Sequence, residues 1–383
     1  MGALGGRWSG RLRGRVARVI LFAILAVASA AYHLLALFAG LRKLREPRVA
    51  GGFTPRVSIL KPLRGRDARF FEAIRSHALL DYPQYEILFG VSDPADPACA
   101  DIRRLVAEFP NLPVRLVDVA TDAPNAKVGV LEKLASEARY PVLVINDSDI
   151  LVAPDYLRQC VAPLSDEQVG LVTCLYRGSG GSLAARFEAL GIATEFAPSV
   201  LVARQIGFHE FAMGSTLALR ARDLDRIGGF QSIRDFLADD YQLGKSITGL
   251  GLTVILGGPV VETSLGNGSW SDIWKHQLRW SRTIRVSRAA GYFGYAITAT
   301  LFWSTLAAFA GFLWVAAATY LVRCVAGFVI AGAVLKDLES LKRWWWMPAR
   351  DLFGLAVWLA GTTGRHVEWR GKKMQIDSQG RIF

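Results

Sequence analysis

Four carboxylates stand where this chain could do chemistry: Asp93, Asp147, Asp149 and Asp240. The segment Val142-Leu143-Val144-Ile145-Asn146-Asp147-Ser148-Asp149 runs an apolar strand directly into an Asp-x-Asp. One or two carboxylates can hold a hard divalent cation such as Mg2+ or Mn2+. Such an ion neutralises the charge that develops when a nucleoside diphosphate departs. Acidic turns after strands are also common for purely local reasons, so the position of the pair carries the argument. In parallel α/β sheets, ligands bind at the carboxyl ends of strands. Asp147 and Asp149 follow the strand ending at Ile145, and Asp93 follows the strand Tyr85 to Val91, so both groups should open on one sheet edge. Asp239 and Asp240 precede the helical stretch Gln242 to Thr248. Acids there can simply favour a helix start. Alternatively, Asp240 can serve as a general base within hydrogen-bond reach of an attacking hydroxyl.

Basic residues accompany these acids. Lys61-Pro62 ends the first strand, Val57 to Leu60, on the same expected edge. Lys127 follows Asn125-Ala126 at another helix start, where it could contact phosphate or stay solvated. The stretch Trp274 to Arg288 mixes Trp274, Leu278, Trp280, Ile284 and Val286 with Lys275, Arg279, Arg282, Arg285 and Arg288. That pattern suits a helix at the headgroup level of a membrane. Arg279 and Trp280 could also cover a diphosphate and the acceptor entrance.

The elements that must position these residues alternate. Strands are expected at 57–60, 85–91, 114–119 and 142–145. Helices are expected at 68–80, 101–109 and 127–137, and this order implies a mostly parallel sheet covered on both faces. The remainder is strongly apolar. Hydrophobic residues make up 52% of the 383, yet the formal charge is +12, a combination that suits an anionic membrane surface. Nucleic acid is the other partner for a basic chain, but no nucleic-acid motif is present, so none is expected. Val19 to Leu41 is long enough to cross a bilayer. A cleaved signal peptide would fit Ala28-Ser29-Ala30, but the apolar run continues well past that site, so an uncleaved anchor is expected. Tyr295 to Val322 and Val325 to Leu335 are apolar. Trp344-Trp345-Trp346 precedes a further apolar stretch, Leu352 to Thr362, like an interfacial belt. Two to three C-terminal membrane segments follow from this, with Arg323 at an interface between two of them or snorkelling. Cys99, Cys160, Cys174 and Cys324 include no CxxC pair and read as reduced, packed thiols.

The ordered motifs Val57-Ser58-Ile59-Leu60-Lys61-Pro62-Leu63, Gly90-Val91-Ser92-Asp93, Asp147-Ser148-Asp149, Asp239-Asp240-Tyr241 and Arg279-Trp280 resemble the ceramide glucosyltransferase family. The related bacterial hopanoid-associated glycosyltransferases look similar too. The resemblance spans Val57 to about Arg285, with one N-terminal and several C-terminal apolar segments around it. It implies an α/β protein of GT-A type, a mostly parallel sheet flanked by helices, acting with inversion at the sugar. By resemblance, Asp93 would bind the uridine portion of a UDP-sugar, with Lys61, Pro62 and Lys127 on the same nucleotide-sugar side. Asp147 and Asp149 would bind the metal and diphosphate, and Asp240 would deprotonate the lipid hydroxyl. Met213-Gly214-Ser215-Thr216 resembles the acceptor-side segment, with Gly214, Ser215 and Asp239 facing the acceptor. Arg279 and Trp280 match the end of a five-residue closing motif. The family usually has Gln or Arg three residues before that arginine, and here the position is His276.

The expected organisation is a basic segment at 1–18, an anchor at 19–41, a linker at 42–54 and a GT-A domain at 55–272. An amphipathic interfacial segment at 273–290, membrane segments at 291–364 and a basic tail at 365–383 complete it. The expected reaction moves a hexose, glucose first, from a UDP-sugar to a membrane lipid, ceramide first. A hopanoid acceptor with UDP-N-acetylglucosamine is the alternative, ahead of a processive polysaccharide synthase or a non-catalytic membrane scaffold. The expected location is the cell inner membrane, multi-pass, with the site facing the cytosol.

Overall fold

The computed structural model describes residues 3–47, 52–369 and 372–383. A long helix, α1 (Ala3–Arg45), leads into the first half of the sheet. There β1 (Val57–Leu63), α2 (Phe70–Ala78), β2 (Tyr85–Val91), α3 (Ala98–Glu108), β3 (Val114–Asp118), α4 (Ala126–Glu137) and β4 (Val142–Ile145) alternate as expected. Next come β5 (Ile150–Leu151), α5 (Tyr156–Val161) and β6 (Val169–Ser179). They are followed by α6 (Leu183–Gly191), α7 (Ala197–Gln205), β7 (Leu217–Arg220), α8 (Ala221–Arg226), α9 (Asp239–Gly249) and β8 (Thr253–Ser264). The C-terminal part holds α10 (Trp270–Ser287), α11 (Ala289–Gly294), α12 (Thr300–Phe309), α13 (Leu313–Val329), α14 (Leu338–Leu341) and α15 (Met347–Gly361). It ends in a hairpin of β9 (His366–Trp369) and β10 (Lys372–Gln375).

The main sheet has eight strands in the order β3-β2-β1-β4-β7-β6-β8-β5. The first four pair in parallel, whereas β7 runs antiparallel to both β4 and β6. Strands β2 and β4 are buried along their whole length and β1 almost so, which is why they read as continuous apolar runs. Register fixes the working edge: Leu63 lies opposite Val91, and Leu60 opposite Ile145. The turns after β2 and β4 therefore leave the sheet on the same side. Because β7 runs antiparallel to β4, with Leu217 opposite Ile145, the segment 213–216 enters from that same edge.

Several expected boundaries move. Strand β1 continues through Lys61 and Pro62 to Leu63, because both residues remain in register with β2. Helix α9 starts at Asp239, since acids are favourable in a first turn. Helix α1 runs through Arg45, into the stretch expected as a linker. The basic residues of its last turn favour a helix C-terminus, and Lys43 Nζ donates to the Leu256 carbonyl at 2.7 Å. Residues 48–51 of that expected linker, and residues 1–2 of the basic N-terminal segment, lie outside the described residues. The basic tail is built into the fold. Val367 and Ile376 pack with Leu237, and Leu237 N–H donates to the Gly380 carbonyl at 3.1 Å.

Among the described residues, two helices are long and apolar enough to cross a membrane, Val19–Arg45 and Leu313–Val334. The apolar run from Tyr295 is not one helix. Gly311 adopts φ 92°, which a residue with a Cβ strongly disfavours, and it separates α12 from α13. Helix α12 has 10 residues and α15 has 15, so of the C-terminal apolar segments only the one containing α13 reaches spanning length. Arg323 of α13 is buried against α15, where its Nη2 meets Asp351 Oδ1 at 2.7 Å.

Helix α6 passes into α7 through a wide π turn at Ile192–Phe196. Pro198 explains the irregularity. It has no N–H to close a regular turn onto Thr194, so the helix widens just ahead of it.

Candidate active site

The acidic groups converge where the ends of β4 and α9 meet the 213–216 segment. Lys127 sits in the first turn of α4, whose cap is Asn125: the Asn125 side-chain oxygen accepts the Lys127 and Val128 N–H groups at 3.1 and 3.4 Å. That start aims Lys127 Nζ between two carboxylates, 2.8 Å from Asp147 Oδ1 and 3.1 Å from Asp239 Oδ2. Burial opposes the charge on Lys127. Asp147, Asp239 and Asp240 outweigh that opposition and hold the ammonium above its ordinary pKa.

The N-cap residue of α9, Ala238, makes no side-chain bond, and Asp240 both holds a first-turn N–H and reaches outside its helix. Its carboxylate accepts the Gly214 N–H at 2.9 Å and the Tyr241 N–H at 2.8 Å. Burial and the charge of Asp239 push its pKa up to about 6, against the pull of Lys127 and the two N–H groups. Gly214 marks the centre of the cluster. A Cβ there would stand 3.1 Å from Asp147 Oδ2, 3.3 Å from Lys127 Nζ and 3.6 Å from Asp240 Oδ2.

Asp149 is half-buried and accepts the Thr263 hydroxyl of β8 at 2.5 Å. Burial and Asp147 push its carboxyl up to about 6. Two neighbouring acids with one so raised form an acidic donor set that a cation would relieve. Among the described residues, no group of three or more His, Cys, Asp or Glu side chains could hold a metal ion. An ion of the Mg2+ kind takes few carboxylates and completes its shell with phosphate oxygens and water, so two acids are the kind of donor set it uses.

The remaining expected residues take three kinds of place. Lys61 is fully buried beneath the turn rather than lining it: its Nζ lies 3.2 Å from the Asp147 carbonyl and 3.3 Å from His77 Nε2. Burial pulls its pKa down to about 7, against Asp149 and Asp147. Pro62 pairs in register with Gly90, one residue before the end of β2. Asp93 lies on the expected edge, exposed, with its carboxylate accepting the Ala95 N–H at 2.9 Å. Ser215 is buried and donates to the Cys174 carbonyl at 3.3 Å.

Helix α10 brings the closing motif over the cluster. Its start is fixed by a capping box between Ser269 and Asp272. Burial lowers the pKa of Arg279, and the charges of Asp147, Asp240, Glu188 and Asp239 oppose that. The Trp280 ring lies 4.5 Å from His276 and 5.6 Å from Phe196, centroid to centroid. His276 Nδ1 meets Glu188 Oε1 at 2.6 Å, and Gln277 Nε2 donates to the same oxygen at 2.9 Å.

Four residues that sequence reasoning passed over brace this arrangement. Asn146 donates to the Ser215 carbonyl at 2.7 Å and to Tyr156 at 2.9 Å, and its oxygen faces His77 Nε2 at 3.3 Å. Thr173 Oγ1 bonds both the N–H and the carbonyl of Met213, at 2.9 and 3.2 Å. Glu188, on buried α6, holds His276 and Gln277. Asn146, a polar residue directly after four apolar ones, and Glu188, a lone acid in an apolar stretch, were visible signals; His77 and Thr173 carried none.

The family model for glycosyl transferase family 21 matches residues 19–382. Ceramide glucosyltransferase 1 of Caenorhabditis elegans is 28% identical over 222 residues, 57% of this chain and 47% of that protein. Ceramide glucosyltransferase 3 of the same organism is 26% identical over 252 residues, 65% of this chain and 54% of that protein. The matched region thus spans about half the length of these relatives. A mannosyltransferase from Pyrobaculum calidifontis, solved with GDP-Man and Mn2+, superposes with a TM-score of 0.55 at 21% identity, covering 90% of this chain and 99% of that one. That likeness concerns the fold, a GT-A type sheet flanked by helices. The chain belongs to glycosyl transferase family 21.

Proposed function

We propose, with that family membership as premise, that the protein transfers glucose from UDP-glucose to the hydroxyl of a membrane lipid, ceramide, with inversion at the sugar. The observation that carries this reading is the convergence of Asp147, Lys127 and Asp240 on Gly214. It sets a carboxylate with a raised pKa beside a cation and an acid pair suited to phosphate chemistry.

In this reading Asp240 takes the proton of the lipid hydroxyl. A carboxylate titrating near 6 is mostly ionised at neutral pH yet more basic than an ordinary aspartate. The lipid oxygen forms its bond to the anomeric carbon as the bond from that carbon to the β-phosphate oxygen breaks, and UDP leaves with the electron pair. Asp147 and Asp149 would hold a divalent cation, Mg2+ or Mn2+, which when bound supplies positive charge to the diphosphate. Arg279 adds a fixed cation on the same side, and Lys127 holds Asp147 and Asp239 in place. Asp93 serves the uridine side, while the buried Lys61 supports the Asp147 turn from beneath and Pro62 carries β1 past it. Gly214, Ser215 and Asp239 border the acceptor, and Trp280 with His276 closes over it. In this reading the chain sits in the cell inner membrane with this site facing the cytosol; the two helices of spanning length support the membrane seating alone. Residues 55–272 form the transferase domain, and residues 273–290, which include most of α10, the interfacial segment.

The test is direct. Purified full-length protein is incubated with UDP-glucose, Mg2+ or Mn2+, and ceramide in mixed micelles. Glucosylceramide is the expected product. Product only from UDP-N-acetylglucosamine and a hopanoid polyol would move the acceptor and donor, and no product from any UDP-sugar and lipid pair would overturn the reading.

A further inference from the structure

The turn that follows α7 leaves apolar side chains in the open beside a helix of spanning length. Helix α7 closes on Gly207, whose φ is 90°. Gly207 N–H donates to the Arg204 carbonyl at 3.2 Å, and Phe208 N–H to the Ala203 carbonyl at 2.9 Å. These two bonds fix the turn, and the residue after such a glycine often folds back on its helix. Here Ile206 is instead 55% exposed and Phe208 37%. Helix α1 sets the level of this turn. Arg42 Nη1 donates to Gln205 Oε1 at 3.2 Å, and a Cβ on Gly40 would stand 3.7 Å from Leu201 Cδ1, so α7 lies along the end of α1. There α1 still exposes Leu41 and Leu44, while Arg42, Lys43 and Arg45 form its last turn. Cations at the end of an apolar helix mark the headgroup level of a bilayer. Ile206 and Phe208 stand beside that level.

The turn also touches the closing helix and leads to the acidic cluster. Arg288, at the end of α10, lies over the Phe208 ring at 3.5 Å. Beyond Arg288, α11 turns Phe293 outward, 54% exposed. Exposed apolar side chains gathered at one place mark a membrane or protein contact. Downstream, Arg204 Nη2 donates to the Phe211 carbonyl at 2.9 Å and anchors the chain. A Cβ on Gly244 of α9 would stand 2.9 Å from the Glu210 carbonyl oxygen and 3.0 Å from the Ala212 nitrogen. The backbone at 210–212 therefore lies directly on α9, one helical turn past Asp240. Two residues further on, Gly214 N–H donates to Asp240 at 2.9 Å. Six residues lead from Phe208 to Gly214, a reach of at most about 20 Å.

We propose that Ile206 and Phe208 insert among lipid chains and, with the start of α11, form the lip over which the acceptor lipid presents its headgroup to Asp240. The inference rests on the lipid-acceptor reading above. An acceptor's hydrocarbon chains stay in the bilayer, because exposing them to water is unfavourable. The site must therefore be carried to the headgroup level. A turn that is apolar on its outer side, level with the end of α1 and continuous with the 213–216 segment does this. A soluble protein partner would give no reason for the turn to lie against the last turn of a spanning helix.

The test places the full chain in phosphatidylcholine nanodiscs and reads the depth of the turn. Ile206→Cys carries a nitroxide in a Cys324→Ser background, where Cys99, Cys160 and Cys174 are buried. Relaxation of the label by oxygen, which concentrates in the bilayer, is compared with relaxation by a water-soluble nickel chelate. Oxygen should be the stronger relaxant at 206, and the chelate the stronger at exposed Ser136→Cys on α4. The double substitution Ile206→Ser with Phe208→Ser should raise KM for long-chain ceramide at least about fivefold. KM for UDP-glucose should stay within about twofold, which also reports an intact fold. A hexanoyl ceramide, soluble enough to arrive through water, should show a change of less than about twofold. Stronger relaxation by the chelate at 206, or an unmoved KM for long-chain ceramide, would overturn the inference. Spin–spin broadening between labels at 206 would assign the surface to a second copy of the chain and overturn it as well. If transfer fails with every donor and acceptor, the proposed function falls, whereas the depth of the label at 206 still decides whether the turn enters the bilayer.

Discussion

Asp240→Asn separates the proposed chemistry from the architecture that holds it. The carboxylate accepts two N–H groups, from Gly214 and Tyr241. An asparagine of the same shape keeps one acceptor oxygen and turns an amide toward the other donor, losing one hydrogen bond at about 1–3 kcal/mol. Against this stands the strain of the native charge. The folded-state pKa is raised from 3.8 to about 6, and two pKa units correspond to about 3 kcal/mol. The sign follows from linkage: the folded protein binds this proton more tightly than the unfolded chain. Ionisation therefore costs stability as pH rises from about 4 to 6, and the neutral amide avoids that cost at pH 7. The two effects are comparable, so the variant folds with its melting temperature close to the parent's. Lys127 keeps Asp147 and Asp239 as partners, so UDP binding should change less than threefold. Turnover should fall by about 10² to 10⁴, the range of a lost general base. The parent enzyme's kcat should drop about tenfold from pH 7 to pH 5, because a group titrating near 6 goes from about 90% to about 10% ionised. The residual activity of the variant should lose that dependence. Radiolabelled glucose transfer gives kcat, and calorimetry with UDP and Mn2+ gives binding. Retention of more than a tenth of kcat, or equal loss of UDP binding and turnover, would refute the general-base role.

Two other perturbations probe the same cluster. Gly214→Ala places a methyl 3.1 Å from Asp147 Oδ2 and 3.3 Å from Lys127 Nζ, so those side chains must shift by a few tenths of an ångström. We expect turnover to fall at least tenfold with the melting temperature within a few degrees of the parent's, and unchanged turnover would show that the three groups need not converge. Chelation with EDTA should abolish transfer, with recovery on adding Mn2+ or Mg2+. Asp149→Asn should raise the Mn2+ concentration needed for half-recovery at least tenfold, and an unaltered requirement in that variant would remove Asp149 from the ion's ligands.

Much of the site was legible in the chain because it depends on local order. A fully apolar strand followed by Asn-Asp-Ser-Asp delivers Asp147 and Asp149 to a strand end, and strands alternating with helices place that end beside Asp93. The motif order pointed to the family, and the apolar runs located both helices of spanning length. What local pattern left open was settled by contacts between distant segments. Whether Asp240 is a helix cap or reaches across depends on Gly214, 26 residues away. Lys127 became the pivot of two carboxylates only when α4 and α9 met over the sheet. Lys61, read as an edge residue, sits under the site because β1 continues past Leu60 in register with β2. Gly311 divides an apolar run that composition alone shows as continuous. Glu188, Glu195, Arg323 and Asp351 lie in separate helical segments, and no spacing rule relates them. Periodicity reports which face of one element is buried, whereas a buried ion pair is specified by what two elements bury together.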